Sequence, residues 1–255
     1  MSTQNTRETI PTGGVQVTWL GQAGFIFRTA RGRSIVLDPH LSDACERLFG
    51  FRRLSLPALK SEEVVADWVI LTHEHADHLD PDALPVIARN NPACRFAAPL
   101  GCTTGLNEAG IAPARRVVLE PNRRHDLGDL IVHAVPADHG ELSPTALSLV
   151  LDFGALRVAV SGDTGWNDSL VAELTALRPE LLLTVINGGF GNLDHEQAAR
   201  LTAALQPRWV IPCHFWTLSE QGAGDPQGFI KACREQCPAV HPLLLTPGRG
   251  MIFPQ

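Results

Sequence analysis

The chain contains no tyrosine, so no step of its chemistry can draw on a phenol hydroxyl. It also lacks a surplus of cations: 21 Lys and Arg stand against 27 Asp and Glu, a formal charge of −6 with the ten histidines neutral. Proteins that track a nucleic-acid backbone carry the opposite imbalance, as do polybasic segments that sit on membranes. Neither partner class is expected. No apolar run approaches the roughly 20 residues needed to span a bilayer. The first 14 residues are polar and without the apolar core of an export signal, so residence in the cytoplasm is expected. None of the six cysteines forms a CxxC pair, and without an export signal a disulfide framework is not expected.

What is present reads as an ordinary globular chain, 255 residues long with 44% hydrophobic and 19% charged residues. Short β-branched runs bounded by Gly, Pro, Asn and Asp predict strands at 15–20, 25–29, 34–38, 68–71, 95–98 and 116–119. More are predicted at 130–136, 146–152, 156–161, 181–185 and 209–212, with the DFGAL phrase at 152–156 as a hairpin turn. Helices are predicted at 81–90, 169–177, 194–205 and 226–237. Asp80 before Pro81, and Asp194 before an amphipathic run, supply N-caps. There is no internal repeat. The simplest organisation is one α/β domain over 1–255, with 1–14 a loose extension and 43–63 a surface excursion or lid.

The sharpest signal is Thr72-His73-Glu74-His75-Ala76-Asp77-His78, placed directly after an apolar strand. Residues i and i+2 of an extended segment point the same way, so His73 and His75 can grip one cation. Asp77 and His78 follow where the chain bends toward a helix and can face a second cation. Imidazole and carboxylate together suit zinc, manganese or iron. Three more candidate ligands, His139, Asp163 and His214, each stand just past a predicted strand. Loops at strand ends are where a rigid sheet presents functional groups.

HEHADH at 73–78, His139, SGDT at 161–164 and His214, in that order, resemble the metallo-β-lactamase superfamily. The resemblance spans roughly residues 15–253. It implies a four-layer αββα sandwich, two mixed sheets flanked by helices, with two divalent ions at one edge. It implies further that His73, His75 and His139 hold the first ion, that Asp77, His78 and His214 hold the second, and that Asp163 bridges them. Within the superfamily the chain is most similar to the L-ascorbate-6-phosphate lactonase (UlaG-like) branch. The segments WLGQAGF at 19–25, VLDP at 36–39, THEHADHLD at 72–80, SGDTGWND at 161–168 and VIPCHFW at 210–216 carry that likeness. Asp163 at the bridging place, rather than a thiolate, resembles the lactonase, glyoxalase II and RNA-processing branches. His139 stands where the ascorbate enzyme is expected to carry an acidic residue.

Two cations sharing a water lower its pKa toward neutrality and stabilise the oxyanion that its attack creates. Asp77 and Asp163 are the expected catalytic carboxylates: both orient the nucleophile, and Asp77 delivers a proton to the leaving oxygen. Glu74, between ligands, should point away. Asp38, ending a strand in a Leu-Asp-Pro phrase, reads as a turn cap, while the resemblance implies a carboxylate behind a ligating histidine; His40, Asn187, Trp166 and Trp216 are candidates for contact with substrate. Phe190 joins the two tryptophans in a candidate apolar wall. Arg123, Arg124 and His125 are either a phosphate site or a solvated run. Cys213 is expected in the core. The expected activity is metal-dependent hydrolysis of a small molecule, a sugar lactone or related cyclic ester, phosphorylated or not. The alternatives are a phosphodiesterase of the RNase Z or cyclic-nucleotide kind and a non-catalytic metal-binding domain. Zn²⁺ and Mn²⁺ are the expected ions, with Fe²⁺ permitted, and a homo-oligomer stays open.

Overall fold

Period-2 alternation in the first third of the chain builds one sheet and fills both of its faces. In the computed structural model, which describes residues 9–222 and 224–254, β1 (Val15–Gly21), β2 (Gly24–Thr29) and β3 (Ser34–Leu37) form an antiparallel meander. β4 (Trp68–Ile70), β5 (Arg95–Ala98) and β6 (Arg116–Val118) extend it in parallel. β14 (Gly250–Phe253) closes the other edge against β1, giving the order β14-β1-β2-β3-β4-β5-β6. Phe25, Phe27, Ile35, Leu37 and Ile70 face inward into the larger core. Their neighbours Ile26, Val36, Val69 and Phe96 face the other way, onto Leu84 and Ile87 of helix α2 (Ala83–Asn90). Each fully buried phenylalanine contributes about 2 kcal/mol relative to an exposed one.

The second sheet repeats the plan. β7 (Arg123–Asp126), β8 (Ile131–Pro136), β9 (Leu147–Asp152) and β10 (Arg157–Val160) are antiparallel. β11 (Leu181–Val185), β12 (Trp209–Cys213) and β13 (His241–Pro242) then run parallel to β10. β11 and β12 are buried throughout, which is why they read as unbroken apolar runs. Helices α4 (Asp168–Ala176), α5 (His195–Leu205) and α6 (Pro226–Gln236) cover the outer face and share the larger core. The layers are therefore helix, sheet, sheet, helix, the αββα arrangement expected from the sequence. Among the described residues no helix is long and apolar enough to cross a membrane.

Two local signals act as read. Asp194 and Gln197 form a reciprocal capping box at the start of α5. Asp80 accepts from the backbone N–H of Asp82 and Ala83 at 3.0 and 2.9 Å, although the helix proper begins two residues later than expected. The same carboxylate accepts from Leu41 N, Ser42 N and the Ser42 hydroxyl, so it also pins the chain after β3. Burial alone would raise this carboxyl, but His40, Ser42 and backbone N–H groups hold it down at about 2.

Segment 43–63 is more ordered than a bare excursion. It contains helix α1 (Ala44–Phe49), ended by Gly50 at φ 78°, a bridge from Arg53 to Leu218, and a 3₁₀ turn at Ser61–Glu63. A six-residue helix shows too little periodicity to read, yet Gly50 is the usual stop signal and was available. Short helix α3 (Thr103–Glu108) and strands β7, β13 and β14 also went unanticipated. Arg123, Arg124 and His125 lie on β7, an exposed sheet edge whose polar composition hides its pairing with β8. Of the expected loose extension 1–14, residues 1–8 lie outside the described residues, and a turn closes from Gly14 N to Pro11 O at 2.8 Å.

Candidate metal centre

The topology gathers the candidate ligands by aligning strand ends. β3 and β4 are parallel, so Asp38 and the loop 71–80 leave the first sheet at one edge. In the second sheet β8 runs with β10 and β12, because two antiparallel steps restore direction, so His139, Asp163 and His214 emerge together. Backbone hydrogen bonds join the two sheets there: Leu147 N to Thr72 O at 3.1 Å and His214 N to Gln22 O at 2.9 Å. Gly162 precedes Asp163 at φ 59°, and a Cβ there would stand 2.7 Å from Leu147 O, so only glycine lets the loop pass.

Seven side chains converge as three overlapping groups: His73, His75 and His139; His73, His78 and Asp163; and Asp77, His78 and His214. Within each group the donor atoms lie no more than 4.8 Å apart. His75 Nδ1 stands 2.9 Å from His73 Nε2 and 3.3 Å from His139 Nε2. His214 Nε2 is 3.1 Å from Asp77 and 3.3 Å from Asp163. The first and third groups coincide with the two ligand sets that the family resemblance implies, and Asp163 lies between them.

Whether the cluster suits cations is testable on its unmet atoms. His78 Nε2, Asp163 Oδ1 and His139 Nδ1 are buried and make no hydrogen bond, and the first two face each other at 3.2 Å. Buried polar atoms left unpaired are costly and need a reason. The five imidazoles and two carboxylates of the cluster form a donor set fit for two divalent cations of the zinc, manganese or iron type.

Electrostatics point the same way. Burial would lower both His78 and His214, yet the aspartates outweigh it: Asp163, Asp77 and Asp38 hold His78 well above the ordinary histidine range. Asp163 and Asp77 raise His214 to about 9. Burial likewise pushes Asp77 and Asp163 up, but these same imidazoles hold both carboxyls well below the carboxylate range. Burial and the neighbouring His78 push His73 well down, keeping it neutral and able to donate a lone pair. Without metal, protons on His78 and His214 balance the two aspartates.

Outer partners fix the rings. Asp38, at φ 41°, accepts from His78 Nδ1 at 2.8 Å and from Thr72 N and Oγ1, placing this carboxylate behind a candidate ligand. Thr72 Oγ1 also meets His73 Nδ1 at 3.1 Å, and Leu142 O meets His75 Nε2 at 3.1 Å. Asp38→Asn is expected to lower metal affinity and turnover about 10- to 100-fold with the fold intact. Metal titration followed by circular dichroism checks this; unchanged affinity would remove Asp38 from the centre.

Other expectations fare differently. His40 is fully buried beside Asp80 at 3.5 Å, in the packing below the loop rather than on a cavity wall. Trp166 lies under Arg200 and donates to Asp168, and Trp216 is exposed against Phe215; neither lines the cavity. Asn187 is buried behind the wall, where Asn192 Nδ2 donates to it and, at 2.7 Å, to Asp163. Glu74 belongs to none of the donor groups but does reach the cavity, accepting from Ser143 Oγ at 2.8 Å. Cys213 is buried as expected. Cys45 lines the cavity, but burial pushes its thiol up to about 12, so it stays protonated and is no nucleophile.

Sequence reasoning passed over two amides. Gln22, at φ 51° in the β1–β2 turn, donates to Asp77 Oδ2 at 2.8 Å, and Gln221 donates to the same oxygen at 3.2 Å. A lone glutamine in a turn carries no spacing signal; only the WLGQAGF phrase drew attention to its surroundings.

The cluster floors a cavity of about 570 Å³. A helix–sheet–sheet–helix fold with a His/Asp cluster at one sheet edge, opening into such a cavity, defines a class of metal-dependent hydrolases. The chain belongs to the beta-lactamase superfamily as one of its metal-dependent hydrolases: residues 16–214 match the family described as "Beta-lactamase superfamily domain". Over 255 residues it is 31% identical to a UPF0173 metal-dependent hydrolase of Aeropyrum pernix, covering 93% of this chain and 97% of that one. Two solved structures share the fold. Igni18, a metallo hydrolase from Ignicoccus hospitalis, has a TM-score of 0.72 at 24% identity, covering 95% of this chain and 99% of its own. An isothiocyanate hydrolase from Delia radicum gut bacteria gives 0.75 at 19% identity, covering 92% and 98%.

Proposed function

We propose that the protein is a cytoplasmic dimetal hydrolase that opens a lactone or related cyclic ester, along the lines of the UlaG-like branch. One observation carries the reading: seven imidazoles and carboxylates from separate strand ends converge, with unmet donor atoms, at the floor of a cavity of small-molecule size. His73, His75 and His139 would hold one divalent ion, Asp77, His78 and His214 the other, with Asp163 between. When bound, such a pair supplies an activated water near neutral pH and charge stabilisation for the oxyanion. The protein's own part is to hold and orient. Asp77, kept ionised and fixed by Gln22 and Gln221, is placed on the cavity wall to take a proton and return it to the leaving oxygen. Asn192 fixes Asp163. The thiol that reaches the cavity, Cys45, is held protonated, and an ionised Asp77 on the wall suits an incoming water as the nucleophile.

The test is a substrate panel on metal-supplemented enzyme: unsubstituted and substituted γ- and δ-lactones, an aryl isothiocyanate and a chromogenic phosphodiester. Lactone opening should exceed diester cleavage by about tenfold or more in kcat/KM, a difference of roughly 1.4 kcal/mol in transition-state binding. Diester turnover without lactone opening would overturn the proposal in favour of the phosphodiesterase alternative.

A further inference from the structure

The cavity above the cluster is divided by chemistry. Its floor is the polar His/Asp group, whereas Leu48, Phe49 and Phe51, contributed by α1 and the residues after it, face Phe190 from the loop after β11. The rings form a continuous row, Phe49 to Phe51 at 6.0 Å and Phe51 to Phe190 at 5.9 Å between centroids. Although they line a cavity mouth, Phe49 is 59% and Phe190 49% exposed. Exposed large apolar side chains rimming a concave site mark a surface that gains by being covered.

Away from the floor, charge on the wall is of one sign. Among the described residues lining the cavity there is no lysine or arginine, while Glu74 and Glu108 add to Asp77 and Asp163. The three arginines of segment 43–63 are committed elsewhere. Arg47 pairs with Asp82 at 2.7 Å, Arg52 with Glu46 at 3.3 Å, and Arg53 donates to the carbonyls of His40 and Ser42. The glycine loop at 188–192 spends N–H groups internally, Gly188 on Leu193 O and Asn192 on Gly189 O. A phosphate or carboxylate on the part of the substrate that lies away from the cluster would meet Glu74 and Glu108 and no lysine or arginine, against the usual use of arginine forks for such anions.

Building on the hydrolytic reading above, we infer that the substrate is uncharged and carries an aryl or alkyl arm held between Phe49, Phe51 and Phe190, with phosphorylated lactones excluded. Specificity then rests on α1 and the 188–192 loop, and segment 43–63 serves as a fixed half of the binding wall.

The experiment separates this inference from the hydrolysis itself. On metal-supplemented enzyme, kcat/KM is measured for γ-lactones with arms from methyl to hexyl and for a phosphorylated sugar lactone. Binding of 5-methyl- and 5-hexyl-2-pyrrolidinone, cyclic amides chosen as inert ligands, is measured by calorimetry. We expect up to about fourfold in kcat/KM or affinity per added methylene, the ratio equivalent to ~0.8 kcal/mol per buried CH₂, and no preference for the phosphorylated lactone. Phe49→Ala with Phe190→Ala should flatten the dependence on arm length, weakening the hexyl ligands by about tenfold or more. If no lactone opens but the hexyl amide binds more tightly than the methyl one, the inference stands and the lactone reading falls. If lactones open with no dependence on arm length, or the phosphorylated one is preferred, the inference is overturned and the hydrolysis stands. No arm dependence in either measurement overturns it outright.

Discussion

Replacing Asp163 with alanine is expected to leave a folded protein whose hydrolytic turnover has fallen about 10²- to 10³-fold, the scale on which removing a transition-state electrostatic contact acts. The geometry sets this expectation. Asp163 Oδ1 faces His78 Nε2 at 3.2 Å and Oδ2 faces His214 Nε2 at 3.3 Å, and the same carboxylate groups with His73, so of the two carboxylates in the cluster it is the one within reach of both candidate ligand sets. Without it the third donor of the central group is gone and two imidazoles share Asp77 alone. Metal content should drop from two ions per chain to one or fewer. The fold should survive because Asp163 lies in a loop beyond β10, and none of the paired strand residues depends on its side chain. Elemental analysis, circular dichroism and kinetics on the same preparation check this, with Asp163→Asn as a variant that keeps shape and removes charge. Full turnover with both ions retained would remove Asp163 from the mechanism.

How much of this centre could be read beforehand depended on whether the physics was local. The HxHxDH loop was legible because ligands for one ion lie two residues apart and a strand must end before them. β11 and β12 were legible because burial on both faces enforces an unbroken apolar run. Asp38 was anticipated through the family resemblance, its Leu-Asp-Pro setting alone reading as a turn cap. β14 was not: four residues gain their structure from pairing with Val15–Thr18 at the far end of the chain, and nothing within them announces it. β7 is held by pairing with β8 while its own residues are polar and exposed. Gln22 and Gln221 meet at a shared oxygen of Asp77, a coincidence in space with no trace in spacing. The aromatic wall was sought in Trp166, Trp216 and Phe190, and of these Phe190 lines the cavity. Phe49 and Phe51 take the place of the tryptophans beside it, because short helix α1 brings the 43–63 segment to the cavity.

Binding of metal should release about two protons per chain at neutral pH, because coordination requires neutral imidazole and His78 and His214 are held protonated by the facing aspartates. The same protons give the metal-free protein an unusual stability profile. A histidine raised in the folded state stabilises it in full below its unfolded value of about 6.5, and that contribution disappears as pH rises through the folded value. For His214 this places the loss between about pH 6.5 and about 9. Its size is on the order of 3 kcal/mol, or roughly 10 °C in Tm for a chain of this length. Asp77 and Asp163 act oppositely: depressed in the fold, they stabilise it above about pH 4 and lose that contribution as acid protonates them. The metal-free protein should therefore melt highest between about pH 4 and 6.5, whereas metal affinity rises across the range where that stability falls. Melting curves of chelator-treated protein, with calorimetric metal titrations in buffers of differing ionisation heat, measure both effects. A flat melting temperature from pH 6.5 to 9 with no proton release would show that the two imidazoles are neutral before metal arrives, and that the aspartates are balanced by something other than their protons.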